Sequence, residues 1–167
     1  MDELLNFKNE IYSTSNNDAE NNSIYPEESF FEYVSELLSE AGILDDVQYS
    51  PYRNTLKGMM LDGYSWNALE KTFCGIIVNF TNELNHIETL TNTEIKSISK
   101  KVTKFFEASE NSNFIESLEV TDPGREVINE MNHHLPDAIK IRITIFTDQQ
   151  LSSRVKKLSI DSILNKE

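Results

Sequence analysis

The spacing of apolar residues changes several times along this chain of 167 residues, and each spacing predicts a different element. Apolar residues at helical intervals over residues 2–13 predict a short helix. The next stretch, residues 14–23, is rich in Ser, Asn, Asp and Glu and predicts a mobile loop. A stronger helical pattern extends from Pro26 to Ala41, and Gly42 is a typical stop signal for that helix.

Strands are predicted in the middle of the chain. Residues 47–64 combine aromatic and apolar side chains with interruptions at Pro51 and Gly58, which indicates one or two strands. A nearly continuous apolar run over residues 73–80 is typical of a central strand buried on both faces. The lone Cys74 lies in this run, so we expect a buried, unreactive thiol rather than a disulfide or a zinc ligand.

The second half of the chain predicts two helices and a strand. Thr91 and Glu94 have the spacing of a capping box, which marks a helix start. Asp and Pro at 122–123 form a cap followed by a first-turn proline, which marks another helix start. Apolar and polar residues alternate over residues 139–146, which is the clearest strand pattern in the chain. Residues 158–164 suggest a further strand.

The order of these elements predicts the fold class. Helices followed by strands, further helices and a strand are typical of an α/β or α+β domain with a mixed sheet flanked by helices. A chain of this length most simply forms one domain. We therefore expect an extra N-terminal helix and a mobile loop over residues 1–23, and a single domain over residues 24–167.

The net charge of −13 comes mostly from the first part of the chain. Residues 1–50 contain twelve Asp and Glu residues and a single Lys, whereas the rest of the chain is nearly balanced. This distribution argues against a broad DNA-binding surface, which needs a dominant basic face. It is compatible with a solubilising acidic surface, or with an acidic region that binds a basic partner.

Positive charge is concentrated on one predicted helix. Lys96, Lys100 and Lys104 are spaced four residues apart and share a helix face. One interpretation is a solvated helix face, and the other is a local surface that binds nucleic acid. In the second interpretation, further basic residues contribute to the surface, namely Lys140, Arg142, Arg154, Lys156 and Lys157.

Neither a secretory signal nor a membrane span is visible in the sequence. The first residues are acidic, and no apolar run approaches the ~18–20 residues that a membrane span needs. We therefore expect a cytoplasmic location and no membrane partner.

The three histidines do not suggest catalysis. His133 and His134 are adjacent and diverge by about 100° on a helix, so they do not readily ligate one ion. His86 is isolated along the sequence. We expect structural or surface roles for all three.

Two adjacent predicted strands carry the clearest indication of chemistry. Asp62 and Gly63 end the first strand, and Asn79 is the single polar residue near the end of the second. Metal-dependent nucleases place acidic ligands on such strands. Phosphodiester hydrolysis with Mg²⁺ needs carboxylates that converge on a hard cation and a lysine near the attacking water. An ordinary strand end or hairpin turn is the alternative interpretation of Asp62 and Gly63.

The nuclease hypothesis assigns a role to several residues. Asp62 binds the metal together with a helix carboxylate, for which the candidates are Glu28, Glu32 and Glu36, with Glu32 assigned here. Asn79 occupies the position of a second acid, and Lys100 or Lys96 replaces the missing lysine. Asn79 brings no charge to the metal and Thr81 is not a lysine, so the second strand departs from an active pattern.

Five short segments, taken in order, resemble a known protein family. They are residues 62–64, 76–80, 90–95, 143–148 and 151–154. Their order and spacing resemble the N-terminal region of the AIPR family, the abortive infection phage resistance proteins of bacteria. The resemblance covers most of the chain, from the predicted helix at 30–41 onward.

The resemblance implies a role in bacterial defence against phage, by abortive infection or together with restriction-type systems. A restriction-endonuclease-like core over residues 24–167 is consistent with it. Family members are longer than this chain, and the chain ends at 165–167 within a strand-forming pattern, so we expect the N-terminal part of a longer protein. The family favours an acidic residue where this chain has Asn79, which predicts a degenerate site.

Three functional hypotheses follow from these observations. The first is a degenerate nuclease-like domain of a phage-defence protein that acts in recognition or assembly, with nucleic acid or a second copy of the chain as partner. The second is an active Mg²⁺-dependent nuclease domain. The third is an acidic protein-interaction module, and only the second hypothesis requires a metal cofactor.

Overall fold

The computed structural model describes residues 2–155. The strand predicted at 158–164 and the basic residues Lys156 and Lys157 lie outside this range. The helices are α1 (Asp2–Asn22), α2 (Pro26–Glu40), α3 (Asn92–Ala108), α4 (Ser112–Ser117) and α5 (Pro123–His134). The strands are β1 (Val47–Asn54), β2 (Met59–Asn67), β3 (Thr72–Asn79), β4 (Thr89–Leu90), β5 (Lys140–Thr147) and β6 (Gln150–Leu151). No helix among residues 2–155 is long and apolar enough to cross a membrane.

The predicted helix starts in the second half are confirmed. The Thr91 hydroxyl accepts a hydrogen bond from the Glu94 amide, and the Glu94 carboxylate accepts one from the Thr91 amide, as a capping box requires. Asp122 caps α5 by accepting a hydrogen bond from the Gly124 amide at 2.8 Å. The short elements β4, α4 and β6 were not predicted, because they contain too few residues to show a periodic pattern.

The N-terminal helix is longer than the sequence predicted. Residues 14–23 were expected to form a mobile loop, but α1 continues without interruption to Asn22. Ile11, Ser15 and Ala19 recur every four residues and are buried. Ser15 and Ala19 therefore continue the buried face that begins at Ile11, and α1 has one buried stripe along its length. The polar, small-residue composition of residues 14–23 is typical of a loop and does not reveal this stripe.

The main sheet is mixed, as predicted, with the strand order β1-β2-β3-β5. β2 is antiparallel to both β1 and β3, whereas β3 and β5 are parallel over their whole length, with Thr72 opposite Lys140 and Asn79 opposite Thr147. β4 and β6 form a separate parallel pair. β3 is therefore a central strand, in agreement with its continuous apolar sequence.

Helices cover both faces of the sheet, so the domain has three layers. On one face, Phe30 and Phe31 of α2 pack with Ile76 and Phe146. On the other face, α3, α4 and α5 pack against alternate residues of the same strands, including Phe73 of β3. The buried Cys74 belongs to the first of these two clusters, and burial raises the pKa of its thiol. The prediction of a buried cysteine is confirmed.

Asp62 and Gly63 do not form a strand end or a hairpin turn. They lie in the middle of β2, which continues to Asn67. A side chain at position 63 would collide with the carbonyl oxygen of Gln48 and would lie 2.5 Å from Cζ of Phe31. The glycine therefore allows α2 to approach the sheet closely, a packing requirement that resembles a turn signal in the sequence.

Candidate functional site

A polar cluster lies at the carboxyl ends of the parallel strands β3 and β5. We call it the carboxyl-end cluster; it consists of Lys8, Asn79, Thr81, Glu88, Asp148 and Gln149. In open α/β sheets, ligands bind outside the carboxyl ends of parallel strands. The cluster therefore occupies the position at which such sheets bind their ligands.

One half of the cluster is a buried ion pair. The Lys8 ammonium of α1 donates hydrogen bonds to the Asp148 carboxylate and the Thr81 hydroxyl, both at 2.7 Å. Asp148 also accepts hydrogen bonds from the Thr81 amide at 2.9 Å and from the Thr81 hydroxyl at 2.6 Å. The Lys8 and Asp148 side chains are 3% and 1% exposed. The single lysine of the acidic first 50 residues therefore holds α1 against the strand ends.

The other half of the cluster is a chain of hydrogen-bonded amides and a carboxylate. The Asn79 amide nitrogen donates to the Gln149 oxygen at 2.6 Å. The Gln149 amide nitrogen in turn donates to the Glu88 carboxylate at 2.7 Å. Asn79 thus interacts with a neutral side chain, and its predicted role at a nuclease-like site stays a prediction.

Asp62 lies outside this cluster and is fully buried. One of its oxygens accepts a hydrogen bond from the Arg53 guanidinium at 2.5 Å, and the other accepts one from the Val78 amide at 2.7 Å. The regular ladder between β2 and β3 ends at the pair Gly63 and Ile76. The carboxylate therefore accepts a hydrogen bond from the Val78 amide, which lies beyond the end of this ladder. Each of its two oxygens has one protein donor.

The helix carboxylates on α2 lie among other acids. Glu32 keeps much of its surface exposed, but partial burial of its carboxylate, followed by the charges of Glu28 and Asp18, raises its pKa. Burial, followed by the charges of Glu28 and Asp62, raises the pKa of Tyr49 to about 12. Repulsion of this kind favours a cation or a proton, but these contacts alone assign no metal to Glu32 or Asp62.

The predicted basic residues fall on two different faces of the sheet. Lys96, Lys100 and Lys104 belong to α3, which packs on the face formed by Phe73 and its neighbours. Arg142 stands opposite Cys74, on the face covered by α2, and lies 3.6 Å from Glu70. The structure therefore does not bring the helix lysines together with Arg142 on one surface.

The residues of the carboxyl-end cluster other than Asn79 were not predicted as site residues. Two features of the sequence indicate Asp148 and Lys8 as candidates. Asp148 directly follows the clearest strand pattern, and Lys8 is the single positive residue in a strongly acidic region. A lone charge of opposite sign in such a region is a candidate for an internal ion pair.

Three layers around a mixed sheet define a mixed α/β domain. Its polar cluster lies at the carboxyl ends of two parallel strands. The sequence model of one family, described as the abortive infection phage resistance protein N-terminal domain, matches residues 30–167. The chain belongs to this family, which confirms the resemblance seen in the sequence and makes the chain a domain of a phage-defence protein. No curated protein and no solved structure matches the chain. Helix α1 precedes the matched residues.

Proposed function

We propose that this domain is a degenerate, nuclease-like scaffold that acts in recognition or assembly within a cytoplasmic phage-defence protein. The support is the element order around a mixed sheet, in which a helix precedes three strands and further helices precede a parallel fourth strand. Restriction-endonuclease-like cores share this order. Fold alone assigns no chemistry, so the residues at the expected site decide whether the domain is catalytic.

The observation that carries the proposal is the environment of Asp62. A metal ligand must present an accessible lone pair to the ion, whereas the Asp62 carboxylate is fully buried and accepts a hydrogen bond on each oxygen, from Arg53 and from Val78. Its charge is already offset by the guanidinium. A Mg²⁺ ion that bound through one Asp62 oxygen would compete with the Arg53 guanidinium or with the Val78 amide, and Asn79 offers no second charge in return.

The partner that we propose is nucleic acid, with self-association as the other route to assembly. Lys96 and Lys100 are exposed on α3 and form no salt bridge with any residue in the range 2–155. Two adjacent, unneutralised lysines provide a local binding surface despite the negative charge of the whole chain. Lys104 lies on the same helix, and its predicted contribution to nucleic-acid binding remains part of this proposal. Lys140 and Arg142 alternate onto the other face of the sheet, so a contribution from them would require a second, separate contact with nucleic acid.

A metal titration tests the loss of catalysis. The full chain is titrated with Mg²⁺ and Mn²⁺ by calorimetry and incubated with DNA and RNA, alongside the variants Asp62→Asn and Glu32→Gln. We expect neither substitution to change metal binding, and we expect no metal-dependent cleavage. Glu32 is exposed, so Glu32→Gln should fold normally even if the buried Asp62→Asn does not. Saturable Mg²⁺ binding that either substitution abolishes, accompanied by cleavage, would establish the active nuclease instead.

A further inference from the structure

A second group of metal-ligating side chains lies beside the carboxyl-end cluster, in the loop between β3 and β4. Ligand atoms of Glu83, His86 and Glu88 all lie within 4.8 Å of one another. Glu83 and His86 are exposed, and Glu88 is partly buried. We propose that this triad binds one divalent transition-metal ion, with Zn²⁺ as the representative ion.

The donor set decides the class of metal. One imidazole nitrogen and two carboxylate oxygens suit Zn²⁺ and related transition metals, whereas Mg²⁺ prefers oxygen ligands alone. In a tetrahedral site, zinc bonds of about 2.0–2.2 Å place the ligand atoms about 3.3–3.6 Å apart. Ligand atoms separated by up to 4.8 Å must therefore approach one another by about 1.5 Å or less, which rotation of the two exposed side chains supplies. Three protein ligands leave one tetrahedral position for water, so the site is of the open type.

The loop that carries the triad is shaped by α1 rather than by the ligands themselves. Asn82 and Asn85 adopt left-handed backbone conformations, with φ values of 54° and 58°. Asn16 of α1 donates a hydrogen bond to the Asn82 side chain at 2.7 Å. Asn9, two turns earlier on α1, exchanges two hydrogen bonds with Asn85, at 3.0 and 2.9 Å. These contacts fix the loop in place before any ion binds, which reduces the ordering cost of binding.

Two residues outside the triad, Gln149 and Gln150, also fix the position of Glu88. Gln149 donates a hydrogen bond to one Glu88 oxygen at 2.7 Å, and the Glu88 carbonyl accepts one from the Gln150 amide at 2.9 Å. Such outer contacts position metal ligands and commonly change metal affinity. Glu83 and Glu88 have no salt bridge within the described part of the chain. A bound cation would offset the repulsion between these two carboxylates.

Calorimetric titration of the full chain with Zn²⁺ tests the proposal. We expect one ion per chain, with affinity reduced by more than about 100-fold in His86→Ala and Glu88→Gln, and by about 10-fold or more in Gln149→Ala. His133→Ala is the matched control, because His133 is exposed on α5, outside the triad. Asp62→Asn should leave Zn²⁺ affinity unchanged, which separates this site from the nuclease hypothesis.

The result that overturns the proposal is equally specific. Absence of saturable Zn²⁺ binding, or an affinity that His86→Ala and Glu88→Gln leave within about twofold of the parent, removes the site. Loss of binding in His133→Ala would assign the ion to α5 instead. The melting temperature of each metal-free variant is measured first, and unchanged values show that the substitutions act on binding rather than on folding.

Discussion

Asp62 and Asp148 are both buried aspartates beside the end of β3, yet each is neutralised by a different kind of partner. Each accepts a hydrogen bond from a backbone amide near the end of β3 and pairs with one cation. Arg53, the partner of Asp62, is nine residues away in sequence, and its side chain is 42% exposed. Lys8, the partner of Asp148, is 140 residues away, and its side chain is 3% exposed.

The different exposure of Arg53 and Lys8 indicates that the fold depends more on the Lys8–Asp148 ion pair than on the Arg53–Asp62 ion pair. Water can approach the guanidinium side of the Asp62 pair, so removal of Arg53 leaves the carboxylate partly solvated. Water has little access to the Asp148 pair, so removal of Lys8 leaves a buried charge without a partner. Helix α1, although it precedes the residues that define the family, therefore supplies a charge that the matched residues need.

The largest effect is expected from Lys8→Met, which replaces the ammonium with an apolar side chain of similar length. We expect the free energy of unfolding to fall by about 3–5 kcal/mol, because Asp148 then remains buried without a counter-charge. Chemical denaturation monitored by circular dichroism measures the change.

The matched control for this prediction is the double variant Lys8→Met with Asp148→Asn. The asparagine keeps a hydrogen-bond acceptor for the Thr81 amide but carries no charge. We expect the double variant to be more stable than Lys8→Met alone, because the unpaired charge is gone. A Lys8→Met variant within about 1 kcal/mol of the parent protein would show that water reaches Asp148 and that the two aspartates are equivalent.

A smaller effect is expected from Arg53→Met. The guanidinium is partly exposed and solvent screens the pair, so we expect a loss of about 1 kcal/mol in the free energy of unfolding. Arg53→Lys, which keeps the charge but not the planar fork, should lose less. A loss in Arg53→Met that equals the loss in Lys8→Met would contradict the distinction between the two pairs.

Much of the fold was predictable because it depends on local patterns. The alternation over 139–146, the apolar run at 73–80 and the capping box at Thr91 each reflect the periodicity or hydrogen bonding of a single element. The continuation of α1 through 14–23 was missed because its buried stripe consists of small residues, whose burial becomes evident only once α2 packs against α1.

The candidate site was less predictable because its contacts join distant segments. Nothing in the local sequence shows that Lys8 reaches Asp148, or that α1 shapes the loop that carries His86. His86 was interpreted as isolated, although Glu83 and Glu88 lie three residues before it and two residues after it. Only the fold of the loop makes these spacings relevant to a metal.

Glu94 is an exposed carboxylate that can be compared with the two buried aspartates. The smallest effect that we expect is a change in its pKa. Its carboxylate also accepts a hydrogen bond from a backbone amide, that of Thr91 at 2.8 Å, but it lies in solvent without a salt-bridge partner within residues 2–155. The side-chain and backbone hydrogen bonds of Thr91 lower the pKa of Glu94 below its usual value of 4.5. Because this pKa is lower in the folded than in the unfolded chain, the stabilisation is present above pH 4.5 and is lost as the pH falls through the lowered pKa.

Removal of the hydroxyl in Thr91→Val tests the origin of this shift, since the side-chain hydrogen bond is its largest cause. We expect the pKa of Glu94, followed by NMR titration, to rise toward 4.5 in the variant, with Thr91→Ser as the control that keeps the hydroxyl. An unchanged pKa in Thr91→Val would mean that the backbone amide alone holds the carboxylate. In that case an amide contact would be sufficient to favour a charged carboxylate without a cation. The positive charges of Arg53 and Lys8 would then be needed because Asp62 and Asp148 are buried, since burial disfavours the charged form of a carboxylate.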